Sequence, residues 1–122
     1  MDNALTEKII GAAIEVHRHW GPGLLETIYE ESLIHELTMR GVEVKTQVLL
    51  NLTYKDLQLS RDFRIDLVAQ NNVIIELKSV NELAPIHEAQ LLTYLKLSGL
   101  RIGLLINFNT LKLKDGIKRL VL

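Results

Sequence analysis

Asp66, nine intervening residues and then Glu76-Leu77-Lys78 set two acids and a base inside a stretch, RIDLVAQNNVIIELKS, that otherwise reads as buried. Removing a lone charge from water costs several kcal/mol, so such a group changes its protonation state or finds a partner. Strand alternation puts Arg64, Asp66 and Val68 on one face, and Ile74, Glu76 and Lys78 on one face. A two-residue loop at Asn71-Asn72 would set Leu67 against Glu76 and turn Asp66 away. A three-residue loop, Gln70-Asn71-Asn72, pairs Ala69 with Val73 and brings Asp66 opposite Glu76. The three-residue loop is the expectation, with Asn72 as its left-handed residue. Opposed side chains have Cβ atoms about 5 Å apart, so both carboxylates could ligate one divalent ion. Without a cation the two acids repel and one pKa rises. Magnesium or manganese relieves that conflict, keeps several waters and leaves room for phosphate oxygens. Lys78, one pleat along, then assists a water or stabilises charge on a phosphoryl group. These are the parts of phosphodiester hydrolysis.

The elements that must position these groups follow from periodicity. Leu5, Ile9, Ala12, Ala13 and Val16 recur at helical spacing over about 5–19, and GPG at 21–23 stops that helix. A second helix is expected over about 24–40, with Gly41 as its stop and Tyr29, Leu33 and Leu37 as its stripe. Glu26 projects within about 20° of Leu33 and Leu37, so an acid lies within the core-facing stripe. From Val42 the period becomes two, which predicts a meander: strands over about 42–54, 58–69 and 73–80, turning first near Lys55-Asp56. Pro85 opens a third helix that Gly99 ends. RIGLLINF reads as a strand covered on both faces, and IKRLVL as a short last strand. The fold class is therefore α/β, with a right-handed parallel crossover through the third helix.

The chain has 122 residues, 48% hydrophobic and 24% charged, which fits one domain with one core. No cysteine is present, which removes disulfides, thiolate zinc sites and cysteine nucleophiles. No apolar run suggests a membrane span, and MDNALTEKII lacks the basic flank and apolar centre of a signal peptide, so a cytoplasmic protein is expected. Lys plus Arg number 14 against 15 Asp plus Glu, so any phosphate-binding surface must be local. Lys112, Lys114, Lys118 and Arg119 form the one cluster in the sequence, which a solvated edge strand explains equally well.

The spacing of Asp66 and Glu76-x-Lys78 resembles the metal site of the PD-(D/E)XK nuclease superfamily. GLLETIY at 23–29 is similar to the G-x-x-E-x-x-Y pattern that names a small bacterial and archaeal family placed in that superfamily. Gln90 and Tyr94, in IHEAQLLTYLKLSGLRIGLLINF, resemble the Q-x-x-x-Y helix of RecB-like exonuclease domains. Essentially the whole chain is covered; Ile65 stands where the superfamily's name has proline. The resemblance implies a restriction-endonuclease-like αβββαβ core with an additional N-terminal helix. It implies Asp66, Glu76 and the Leu77 main-chain carbonyl as ligands of magnesium or manganese, with Glu26 adding an acid from the helical side. It also implies that Gln90 and Tyr94 face the phosphodiester.

Structural readings stand beside these. Asp66, Glu76 and Lys78 could form a cross-strand ion network on a solvated face, and Glu26 could simply favour a helix start. Gln90 and Tyr94 could bond each other. His17 and His87 read as satisfied structural histidines, and His19, Trp20 and the glycines of 21–23 as shapers of the turn between the helices. The expected function is metal-dependent hydrolysis of DNA, rather than RNA, by Asp66, Glu76, Lys78 and Glu26, with Gln90 and Tyr94 positioning the backbone. The alternatives are a nuclease-like module that binds nucleic acid or a protein without cutting, and a homodimer that assembles a basic track from two copies.

Overall fold

The computed structural model describes residues 3–122, and at Asp62 the backbone alone. Met1 and Asp2, the start of the stretch read against a signal peptide, lie outside the described residues. Helix α1 (Asn3–Trp20) buries Leu5, Ile9, Ala12, Ala13 and Val16. Gly21, in the left-handed region at φ 69°, takes the chain out of it. Helix α2 (Glu26–Met39) buries Tyr29, Leu33 and Leu37. It ends in a Schellman arrangement: Gly41 (φ 76°) donates its N–H to the Thr38 carbonyl and Val42 to that of Leu37, at 3.1 and 2.9 Å. Val42 is consumed by this cap and packs with Leu37, so the first strand starts two residues later than the alternation suggests.

Strands β1 (Val44–Tyr54), β2 (Leu57–Ala69) and β3 (Val73–Lys78) form the expected antiparallel meander. Helix α3 (Pro85–Ser98) crosses to β4 (Ile102–Asn107), which runs parallel to β3, and β5 (Ile117–Val121) closes the sheet in the order β1-β2-β3-β4-β5. A short 3₁₀ turn, Leu113–Gly116, precedes β5 and was not anticipated. α1 and α2 cover one face of the sheet and α3 the other, each over its own apolar cluster. Central β3 and β4 are therefore buried on both sides, as their unbroken apolar runs require. Among the described residues, no helix is long and apolar enough to cross a membrane.

Two details depart from the sequence reading. In the β2–β3 loop the left-handed residues are Gln70 and Asn71 (φ 53° and 54°), not Asn72. Asn72 instead returns its N–H to the Ala69 carbonyl at 2.9 Å, closing a primed turn whose twist suits an antiparallel pair. The second departure lies in the pleat. Gln47, in mid-strand, has φ 49°, and the β1–β2 ladder skips the Gln47 and Asp66 positions. Alternation breaks there, so Ile65 rather than Arg64 joins Val68 in the cluster under α3. The cationic tail is also divided: Lys118 pairs with Glu88 at 3.2 Å, while Arg119 donates to the Asn3 side chain at 3.0 Å.

Candidate active site

Leu67 pairs with Ile75, Val68 with Ile74 and Ala69 with Val73, so the three-residue loop holds and the next opposed residues are Asp66 and Glu76. The ladder stops at that point. Side chains replace its backbone bonds: Glu76 Oε1 accepts the Asp66 N–H at 3.0 Å, and Asp66 Oδ2 accepts the Leu77 N–H at 2.9 Å. The pleat break opposite Gln47 thus ends in a fork whose two vacated N–H groups are satisfied by carboxylates, and each acid is held by the other's strand.

Within a strand, the N–H and C=O of one residue point to the same edge. The Leu77 N–H reaches Asp66 on the β2 side, which is the edge that its carbonyl also faces if the strand stays regular.

Glu76 is 5% exposed. Its burial, and next the Asp66 charge beside it, push its carboxyl up from 4.5 to about 8, against the pull of Lys78 and of the Asp66 N–H. A carboxyl so raised takes up a proton more readily than a free glutamate, and Asp66 is the acid beside it. The structural reading of a solvated ion network does not describe this site, because Glu76 is buried and its neighbour is another acid.

Glu26 is the first residue of α2, and two clamps place it. The Ser79 hydroxyl donates to the Leu24 carbonyl at 2.7 Å, tying the entry to α2 to the residue after Lys78. The Tyr29 hydroxyl donates to the Gly21 carbonyl at 2.6 Å and accepts the Leu24 N–H at 3.1 Å. The Tyr29 ring is fully buried and stacks on Phe108 with centroids 4.6 Å apart. Gly23, at φ 100°, takes a conformation that a side chain would strain. Burial, then Asp66, raise the Glu26 carboxyl above its ordinary range while Lys78 draws it down, so this acid feels both strand residues across the gap. Among the described residues, no three of His, Cys, Asp and Glu already form a cluster able to hold a metal ion. Two acids meet and Glu26 stands within electrostatic reach.

On the α3 side, Tyr94 packs with Val68 and Ile74, next to the two acids. Burial, then the charges of Glu76 and Asp66, push its hydroxyl up to about 12. It stays an O–H donor at any working pH. Gln90, one turn earlier, lines an open cleft with Tyr94, and no hydrogen bond joins the two. His17 and His87 each have a hydrogen-bond partner, as expected: His17 Nε2 donates to the Thr110 carbonyl at 2.7 Å, and His87 Nδ1 accepts the Ala84 N–H at 3.0 Å. Trp20 packs edge-on against His19 and donates from Nε1 to the Ser32 hydroxyl at 2.9 Å, pinning α1 to α2.

Sequence reasoning missed Asn107. This residue, 2% exposed, bonds both the N–H and the carbonyl of Val80, at 3.1 and 2.9 Å, and fixes the chain leaving β3 just beyond Lys78. The signal was a single amide at the end of an apolar run. Asn107→Ala is expected to lower stability by about 2 kcal/mol, since it leaves two main-chain groups of a half-buried segment without that partner. Urea denaturation measures this loss, and an unchanged midpoint would mean that Val80 is held by other means.

A family model of the PD-(D/E)XK nuclease superfamily matches residues 3–120. No curated protein and no solved structure matches the chain.

Proposed function

The chain belongs to the PD-(D/E)XK nuclease superfamily, and from that premise we propose that it hydrolyses DNA phosphodiester bonds with magnesium or manganese. The observation that carries this reading is the fork at the end of the β2–β3 ladder, where the Asp66 and Glu76 carboxyls lie together, each accepting an N–H of the other's strand. The donor set fits a hard divalent cation: carboxylate and carbonyl oxygens, with no sulfur or imidazole. Two desolvated acids also demand positive charge once the proton leaves. Asp66, Glu76 and the Leu77 carbonyl would hold the ion, and Glu26 completes its surroundings from the start of α2. When bound, the ion supplies Lewis acidity, activating water for attack and offsetting charge on the phosphoryl oxygens.

The chain's own groups do the rest. Lys78 follows Glu76 by two residues and acts electrostatically on both Glu76 and Glu26. In this reading its ammonium neutralises a non-bridging phosphate oxygen and orients the attacking water. Tyr94 offers its O–H, and Gln90 its amide, to the strand on the α3 side. Catalysis of this kind is positioning and electrostatics rather than covalent chemistry.

The test is incubation of the purified protein with supercoiled, linear, single-stranded and branched DNA, with magnesium, with manganese, and with a chelator. Cleavage that requires the metal supports the reading. Metal binding with every DNA left intact refutes it in favour of the non-cleaving module.

A further inference from the structure

Tyr94, which feels the charges of both acids, also lines an open cleft of about 460 Å³, walled by Phe63 on β2 and by Ile86, His87, Ala89 and Gln90 on α3. Its volume falls in the roughly 300 to 1,000 Å³ range of small-ligand sites. Phe63 is the exposed aromatic of this cleft, 38% exposed on a strand next to the core. The ring is held rather than loose: it meets Tyr94 edge to face, with centroids 5.6 Å apart and planes at 61°. One aromatic therefore braces the other, and a ring surface is presented to the cleft.

The polar groups come from α3. His87 Nδ1 accepts the Ala84 N–H, so the neutral ring carries its proton on Nε2 and offers a donor. Gln90 is half-buried and adds an amide that both donates and accepts. Aromatic rings, apolar side chains and a few mixed donors and acceptors lining one cleft are what a flat heterocycle with a hydrogen-bonding edge needs.

We propose that this cleft receives one unpaired nucleobase of a DNA strand, stacked on Phe63 with its edge toward Gln90 and His87, beside the phosphate that reaches Asp66 and Glu76. The inference rests on the nuclease reading and narrows it to substrates with an unpaired base at the cut: single strands, frayed ends or flaps. A base inside an intact duplex is stacked on both faces and must first be extruded, at a cost of a few kcal/mol.

The experiment uses the full chain with magnesium and a short single strand in which one abasic site is walked along the sequence. A single position next to the cut is expected to lose about ten- to a hundredfold in kcat/KM, the range found for one stacked base, with the other positions much less affected. Phe63→Tyr is expected to keep that position-specific loss, whereas Phe63→Leu, apolar but unable to stack, erases it. A flat abasic profile, or Phe63→Leu behaving as the unsubstituted protein, overturns the inference and leaves the nuclease reading standing. If no DNA is cut, anisotropy of the same labelled strands reads the subsite alone. A position-dependent loss of affinity that Phe63→Leu removes upholds the subsite while refuting catalysis, and no binding of the single strand overturns it.

Discussion

Glu76→Gln is expected to lower metal-dependent cleavage by roughly a thousandfold or more, and at the same time to stabilise the metal-free protein above neutral pH. The first effect follows from charge: the amide cannot supply the anionic oxygen that a divalent cation requires. Shape is preserved, because an amide oxygen can still accept the Asp66 N–H and the amide nitrogen can donate to Asp66, as the protonated acid does. The second effect follows from proton linkage. The Glu76 carboxyl titrates near 4.5 in the unfolded chain and near 8 in the folded one. Between those values the folded protein holds a proton that the unfolded chain has released. The contribution of this group is therefore complete below about 4.5 and is lost as pH climbs through about 8. A shift of that size corresponds to a loss of at most about 5 kcal/mol. Urea denaturation in chelator on both sides of that window checks it. A stability that falls equally in the Glu76→Gln protein would place the titrating group elsewhere.

The same linkage couples the metal to pH. Binding a cation requires the Glu76 proton to leave, so apparent affinity should rise with pH up to about 8, with uptake of metal accompanied by release of a proton. Bound metal in turn stabilises the folded state by mass action, most visibly where the empty site is weakest. A protein that is least stable without metal at the pH where it binds metal best is the thermodynamic signature of opposed acids.

How far the sequence carries such an argument can be judged residue by residue. The helix ends were legible because Pro85, Gly41 and Gly99 have local reasons to be where they are: a fixed φ at a helix start, and φ of 76° and 77° at two helix stops. The Asp66–Glu76 pairing was legible for a different reason. Loop propensity alone left two registers open, and only one of them gave the buried acids a partner. Asn72 was misread because either neighbouring residue can satisfy the turn, and sheet twist, a non-local property, selects the primed geometry at Gln70-Asn71. Gln47 carried no signal at all, since glutamine is no left-handed former and its conformation belongs to the fork between three strands. Asn107 and Ser79 were overlooked because their partners, Val80 and Leu24, lie 27 and 55 residues away. Long-range side-chain to backbone bonds leave no period in a sequence.

Lys78→Met should lower kcat by about a hundred- to a thousandfold at saturating metal, the magnitude typical of removing one preorganised charge from a developing anion. The thioether chain keeps most of the aliphatic bulk of lysine, so packing at the end of β3 is retained and the change is electrostatic. A second signature separates this role from simple support. Lys78 lowers the carboxyl pKa of both Glu76 and Glu26 by its charge, so its removal lets both rise further. The rising limb of the pH profile, set by departure of the Glu76 proton, must then move to higher pH, while in Glu76→Gln that limb has no proton to report. A Lys78→Met protein with reduced turnover but an unmoved profile would mean that the ammonium acts on the substrate alone and does not poise the acids. Full activity with Lys78→Met would remove the lysine from the site altogether, and leave Asp66 and Glu76 to bind the ion without help from the third residue of the motif.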